Sequence, residues 1–300
     1  MIKNSLLTDV TIIDFSTRLP GPFSTYILES FGAKIIKIEN SAKGGDPFTQ
    51  PEYLAYAPAF KDWYQNLNQE KEIIQIDFKQ GFARIKQLVS QAQIIIVPDS
   101  KSTNELLASL SHETSSTAII KLSGGTGEWK NLHDLNALAM TKTFSTHLGS
   151  QVSPPYLPFA GIGFAQYIAT YALALLRNVE LKSRSITKTL YLKDTTEFIF
   201  DALYSELESS PGKYLHNGAF PCYQVYLNKN NDFVCVAAVE ERYWQNLQDQ
   251  FSLQLTVDDR FDTSGKTIQI LQNLFANYTT DEINNRLENS NSCISIVINK

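Results

Sequence analysis

The residues best suited to moving a proton stand together at His133-Asp134-Leu135-Asn136, shortly after the turn Ser123-Gly124-Gly125. A neutral imidazole titrates close to neutral pH, so it can take up or release a proton there. The same stretch also reads as a helix start, with Asp134 capping a helix from Leu135, worth about 1 kcal/mol, and His133 exposed beside it. A second acidic group, Glu240-Glu241, opens another helical stretch. Glu240 reads either as a group directed at chemistry or as a charge favoured by the helix dipole, and Glu241 as the latter. Gly124, Gly125 and Gly127 form a turn that could line a pocket. His112 and His147 lack partners at ligand spacing and Cys222, Cys235 and Cys293 are scattered, so no metal is expected. Neither a Gly-x-Ser-x-Gly elbow nor a Walker-type loop is present.

These groups need elements to position them. Val10 to Phe15 is a short apolar, β-branched run, read as a buried strand. A Pro/Gly turn follows at residues 18–22, and Phe23, Tyr26, Ile27 and Phe31 then recur at helical spacing as far as Gly32. Ile35 to Ile38 resumes as strand. Strand, turn, helix and strand in so short a stretch imply parallel pairing with a right-handed crossover. The turn lies where open α/β sheets bind ligands. It is no dinucleotide loop, because Gly-x-Gly-x-x-Gly is missing and Pro20 and Pro22 replace phosphate-binding N–H groups. Residues 48–69, rich in aromatics, read as a packed loop in preference to a ligand platform. Further strands are expected at Ile73–Phe78, Ile94–Val97, Ala118–Ser123 and Thr187–Leu192. Helices are expected near Phe82–Val89, Leu135–Leu148, Phe164–Leu176 and Thr195–Leu207, the third too short to span a bilayer.

This alternation predicts an α/β fold, a doubly wound, Rossmann-like parallel sheet over residues 1–210. Ser209-Ser210-Pro211-Gly212 marks the boundary to a smaller α+β domain over 211–300. There, Tyr223–Leu227 and Phe233–Val239 flank the Asn/Asp turn of a hairpin, and a helix follows over Glu241–Phe251. Thr279-Thr280-Asp281-Glu282 is a capping box, and Ile294–Ile298 a last strand.

A chain of 300 residues with 43% hydrophobic content can build two ordinary cores. Its net charge of −5 argues against nucleic acid or an anionic membrane as partner. Three scattered cysteines and no apolar leader fit a cytoplasmic chain without disulfides.

The wording Leu19-Pro-Gly-Pro-Phe23, Phe31-Gly-Ala-Lys-Ile-Ile-Lys-Ile-Glu39 and Gly44-Gly-Asp-Pro47 resembles the class III CoA-transferase family. That family includes formyl-CoA transferase, carnitine CoA-transferases and α-methylacyl-CoA racemase. The resemblance continues at His133-Asp134-Leu135-Asn136 and Gly-rich neighbours, then at His216 to Tyr226 and Val236 to Trp244, nearest the racemase branch. It implies a coenzyme A thioester as substrate or ligand and no covalently bound cofactor. It makes His133 a base that removes or returns the α-proton of a 2-methylacyl thioester, and places Glu240 where racemases keep a glutamate in the site. The family's second base, the aspartate that transferases acylate, falls at Ala160, and no carboxylate occurs between Asp134 and Glu180. Ordinary aspartyl-anhydride transfer is therefore excluded on this alignment. Several family arginines are also replaced, so Arg18, Lys37, Lys43, Lys71 and Lys101 remain to meet the phosphates, Arg18 and Lys71 foremost. Family dimers are interlocked rings closed by a C-terminal return that does not follow Lys300 here. A homodimer, or a heterodimer with a paralogue, is expected with that ring open. Two roles follow: a racemase-like enzyme, or a degenerate member that binds acyl-CoA or partners a complete paralogue.

Overall fold

The computed structural model describes residues 5–55, 57–141, 144, 157–202 and 215–299, in two compact units. In the first, strands β1 (Thr11–Asp14), β2 (Lys34–Asn40), β3 (Glu72–Ile76), β4 (Ile94–Pro98), β5 (Ala118–Ser123) and β6 (Ile186–Tyr191) make one sheet. Their order is β3-β2-β1-β4-β5-β6 and every neighbouring pair is parallel. Isoleucines at consecutive positions explain why these strands read as unbroken apolar runs, because successive side chains face opposite sides and both sides are covered. Ile35, Ile12, Ile94 and Ala118 lie in one register row, and Ile36, Ile13, Ile95 and Ile119 in the next. The first row belongs to one core cluster and the second to the other.

Helices α1 (Pro20–Ser30), α2 (Pro51–Leu54), α3 (Ala59–Asn68), α4 (Phe82–Val89), α5 (Lys101–Ser109), α6 (Asp134–Ala139), α7 (Phe159–Lys182) and α8 (Leu192–Asp201) complete this unit. Leu28 of α1, Leu138 of α6 and Phe164, Ile168 and Ala172 of α7 cover the Ile12 face. Ile85, Leu88 and Val89 of α4 and Leu106 of α5 cover the Ile13 face. The unit is the doubly wound α/β layer expected, and burial of each isoleucine is worth about 1.5–3 kcal/mol.

Two elements depart from the sequence reading. Residues 48–69 are largely helical rather than a packed loop, with α3 presenting Phe60 and Trp63 one turn apart to stack on buried Phe48. Helix α7 runs 24 residues, not the shorter span the apolar run suggested, and is long and apolar enough to cross a membrane by length and composition. Its buried residues, from Ala160 through Phe164, Ile168, Ala172 and Leu175 to Val179, form a stripe at helical spacing turned to the sheet. That stripe makes it a core helix. The domain boundary read at residues 209–212 and the far end of the helix read over 135–148 lie outside the described residues.

The second unit pairs β7 (Tyr223–Leu227), β8 (Phe233–Ala237) and β9 (Ile294–Val297) antiparallel, in that order. Asn228 closes the β7–β8 hairpin by accepting the N–H groups of Asn230 and Asp232 on Oδ1. Helices α9 (Glu241–Phe251), α10 (Lys266–Phe275) and α11 (Thr280–Leu287) pack on it around fully buried Trp244, whose indole N–H donates to the Thr256 carbonyl at 3.0 Å. Cys222, Cys235 and Cys293 are free thiols.

Candidate functional site

The chain leaves β1 for β2 and β3 on one side and returns to β4 on the other, so a crevice opens outside the carboxyl ends of β1 and β4. Beneath it lies a set of buried charges. Asp14, the last residue of β1, is fully buried and accepts from the Ser16 N–H at 2.8 Å, from the Ser16 hydroxyl, and from the Thr25 hydroxyl at 2.7 Å. Lys71 Nζ stands 3.9 Å from its Oδ2. Burial alone would push the Asp14 carboxyl up, but Lys37, Lys71 and the two hydroxyls together hold it below the usual carboxylate range.

Lys71 and Lys37 were expected to meet phosphates; the structure instead places both inside the protein. Lys71 Nζ donates to the Pro22 backbone carbonyl, the Thr25 hydroxyl and the Asn68 side-chain amide oxygen at 2.7, 2.8 and 2.9 Å. An ammonium has three N–H donors, and these acceptors occupy all three. Burial lowers its pKa to about 8, against the pull of Asp14. Lys37 Nζ donates to the Ser16 carbonyl at 2.7 Å and pairs with Asp46 at 3.4 Å and Glu39 at 3.9 Å. Glu39 in turn accepts from the Tyr64 hydroxyl at 2.8 Å and from the Gln75 amide. Burial and the adjoining Glu39 carboxylate push that hydroxyl far above its usual pKa. These two lysines therefore brace the crevice floor.

Arg18 does face outward. Its backbone N–H donates to both oxygens of buried Asp46, at 3.2 and 3.0 Å, and its guanidinium donates to the Tyr53 hydroxyl at 2.9 Å.

At the end of β5, Gly124 and Gly125 pack closely against the segment that follows. A Cβ on Gly124 would meet Leu132 N at 2.6 Å and the Lys130 carbonyl at 2.8 Å, and one on Gly125 would meet Trp129 Cβ at 2.7 Å. They let residues 129–132 fold back over the turn and so fix where α6 starts. His133 precedes that helix and is exposed, with its backbone N–H donated to Asn136 Oδ1 at 3.3 Å. Asp134, read from sequence as the cap of this helix, is instead its first residue, and its carboxylate caps another one. Oδ1 accepts the Gly161 N–H at 2.6 Å, and the Ala160 N–H at the start of α7 also stabilises the carboxylate. Pro158, which precedes α7, supplies no side-chain cap. Burial pushes the Asp134 carboxyl above its ordinary pKa, opposed by those two N–H bonds.

A mostly apolar groove of about 230 Å³ opens beside the same helix start, lined by Leu19, Phe23, Trp63, Leu157, Pro158 and Ile162 among others. Gly161 ties groove and carboxylate together, since a Cβ there would lie 3.1 Å from Leu19 Cδ2 and 3.5 Å from Asp134 Oδ1. Sequence reasoning missed this groove because it missed α3. The signal was present in Phe60, Trp63, Tyr64 and Leu67, which recur at helical spacing.

A model of CoA-transferase family III matches residues 7–299. The chain belongs to that family. This family III protein is 25% identical to the CaiB/baiF CoA-transferase family protein ZK892.4 of Caenorhabditis elegans, over 97% of this chain and 86% of the relative. It is 23% identical to human alpha-methylacyl-CoA racemase, over 97% of this chain and 78% of that one. Its fold matches that of a CAIB/BAIF family protein from Brucella suis, with a TM-score of 0.74, 16% identity, and 99% and 85% of the two chains covered.

Glu240 of the family III protein is an exposed residue of the second unit. It precedes α9, and its carbonyl accepts the Tyr243 and Trp244 N–H groups. Among the described residues, no three His, Cys, Asp or Glu side chains form a group that could hold a metal ion.

Proposed function

We propose that this protein binds acyl-CoA thioesters and exchanges the α-proton of a 2-methylacyl group, as its likeness to alpha-methylacyl-CoA racemases suggests. The observation that carries the reading is the Asp134 carboxylate seated on the Ala160 and Gly161 N–H groups. Ala160 itself has no acid–base group, yet a carboxylate still stands at the start of α7, supplied from α6. With Oδ1 held by the Gly161 N–H, the carboxylate keeps lone pairs with which to act as base. The C–H electron pair enters the enolate and the proton passes to the Asp134 carboxylate. His133, as imidazolium, returns a proton to the opposite face of the α-carbon, and solvent resets both groups. A base made stronger by burial suits a weakly acidic C–H, and positioned acid–base catalysis of this kind contributes roughly 10²–10⁴-fold. The apolar groove beside Gly161 suits the acyl chain.

The alternative, a family member that binds acyl-CoA without turnover or completes a paralogue's dimer, draws on Ala160 and on the withdrawal of Lys37 and Lys71 into the protein.

The test is α-deuterium uptake from heavy water by a 2-methylacyl-CoA. Uptake by the parent, lost with His133→Ala and reduced at least a hundredfold with Asp134→Asn at unchanged melting temperature, is expected. Asparagine keeps a carbonyl oxygen for the helix N–H groups, so a role confined to capping would leave exchange intact. Saturable CoA binding by calorimetry with no exchange in the parent would favour the binding role.

A further inference from the structure

Away from the crevice, the first unit has a larger concavity of different chemical character. It is a cavity of about 570 Å³ between the last turns of α7 and β6, an edge strand of the sheet. It sits at the opposite end of the sheet from the crevice. Arg184 and Ser185 lead into β6, whose first residue, Ile186, pairs with Ala118, the first of β5, whereas the crevice opens at the carboxyl ends of β1 and β4. A strand of six residues puts roughly 17 Å between the two ends.

Lys182, Arg184 and Lys188 line the cavity, and no carboxylate does. All three are exposed, and among the described residues none of them makes an ion pair or a side-chain hydrogen bond. Glu180, near the end of α7, is taken by Arg177 at 3.7 Å. Two ordinary reasons for cations here fall short. The α7 C-terminus carries about half a negative charge, which Lys182 answers. A lysine on an edge strand, such as Lys188, discourages edge-to-edge pairing. Neither reason asks for Arg184, nor for a lining free of carboxylates in a chain whose 31 acidic residues outnumber its 26 lysines and arginines.

The volume falls in the range of small-molecule sites. The charge is confined to the amino end of β6, since Thr189, Leu190 and Tyr191 add no cation, and this suits a compact polyanion better than an extended acidic strand. A guanidinium fork and two ammonium groups supply donors for phosphate or carboxylate oxygens, and Tyr171 and Leu175 offer apolar contact to the rest of a ligand.

We propose that this cavity is a second ligand site, separate from the crevice, for a small organic anion bearing several phosphate or carboxylate groups. The inference does not rest on the acyl-CoA reading.

Calorimetry of the full chain with ATP and, separately, with citrate tests it. The parent is compared with Lys182→Glu/Arg184→Glu and with Lys229→Glu/Lys266→Glu, which reverses as much charge at exposed positions of the second unit. At least one probe should bind the parent saturably and weaken roughly 10- to 100-fold in Lys182→Glu/Arg184→Glu, the loss expected for two charge-assisted contacts. The control should stay within twofold of the parent. The melting temperature of Lys182→Glu/Arg184→Glu should move by no more than about 2 °C, because the replaced side chains are exposed and unpaired. Binding of ATP alone would assign phosphates to the site, of citrate alone carboxylates, and of both the charge they share. Equal weakening in the two variants would reflect net charge only and overturns the site. Binding unchanged in Lys182→Glu/Arg184→Glu would lie elsewhere in the chain and overturns it as well. So does binding of neither probe by the parent at millimolar concentration.

Discussion

Replacing Lys71 by methionine removes a buried cation and leaves the Asp14 carboxylate in place. In the parent, that carboxylate is fully buried, 3.9 Å from Lys71 Nζ, and held by three donors from Ser16 and Thr25. Methionine fills most of the volume, so the cost is mainly electrostatic. Breaking a buried pair from one side costs about 3–5 kcal/mol. At roughly 2–4 °C per kcal/mol for a unit of this size, the melting temperature should fall by roughly 10 °C. The Pro22 and Asn68 oxygens lose their donor too and add to the upper end of that range.

The pH dependence separates this account from loss of packing alone. In the parent, the Asp14 carboxyl lies below its ordinary value of 3.8, so its contribution is present above that pH and is lost as pH falls through the folded value. Without Lys71, burial drives the carboxyl upward, and protonation then relieves the stranded charge. The deficit should therefore be largest near pH 7.5 and shrink toward pH 5. Urea unfolding at both pH values measures it, and Asp14→Asn combined with Lys71→Met should recover more than 1 kcal/mol of the single-mutant loss. Lys71→Met within 1 kcal/mol of the parent at pH 7.5, with no pH trend and weaker CoA binding, would refute the bracing role and return Lys71 to the phosphates.

Two further substitutions probe the elements that place the site. Gly21→Ala sets a Cβ 2.0 Å from Ser16 Oγ and 2.3 Å from Ser16 Cβ, where Ser16 is tied to Asp14, so α1 must move from the sheet. A lower urea midpoint, worth about 1–3 kcal/mol, is expected, and no change would mean the α1 turn is looser than drawn. In the second unit, Thr279→Ala breaks the capping box in which Thr279 Oγ1 accepts the Glu282 N–H and Glu282 holds the Thr279 N–H. Unfolding of that unit should become easier by about 1 kcal/mol while unfolding of the first stays unchanged, as urea titration followed by tryptophan fluorescence measures.

Much of the fold was legible because both faces of the main sheet are covered. Strands such as Ile94–Pro98 then show in the sequence as apolar runs, and α9, with its boundaries at Glu241 and Phe251, shows by its spacing. The two braced lysines were not legible, although a signal existed. In Ile35-Ile36-Lys37-Ile38-Glu39 the charges interrupt a strand that must be buried on both sides, so each required a partner inside. Those partners, Asp46, Tyr64 and Gln75, come from later segments, and no spacing rule reports such a meeting. A lysine in a sequence therefore looks like a ligand cation until its acceptors are counted. For Lys71 three acceptors account for every donor.

The same limit explains Asp134. Beside a histidine and ahead of Leu135, its position implied a cap on its own helix, which is the local choice. Helix α7, however, begins with Pro158, Phe159 and Ala160, which offer its first N–H groups no side-chain acceptor. An uncapped helix start packed in a core carries orphan donors that must find an oxygen somewhere. The nearest in this fold is 27 positions back in the chain, where the Gly124 and Gly125 turn lets the backbone double over and set α6 against α7. Alanine at 160 and aspartate at 134 are then one arrangement rather than two facts. The α7 terminus lacks a carboxylate of its own and draws one from α6, beside an apolar groove and next to an exposed imidazole. Reading either residue alone yields a missing group or a spare cap; only their contact puts a carboxylate at the α7 terminus.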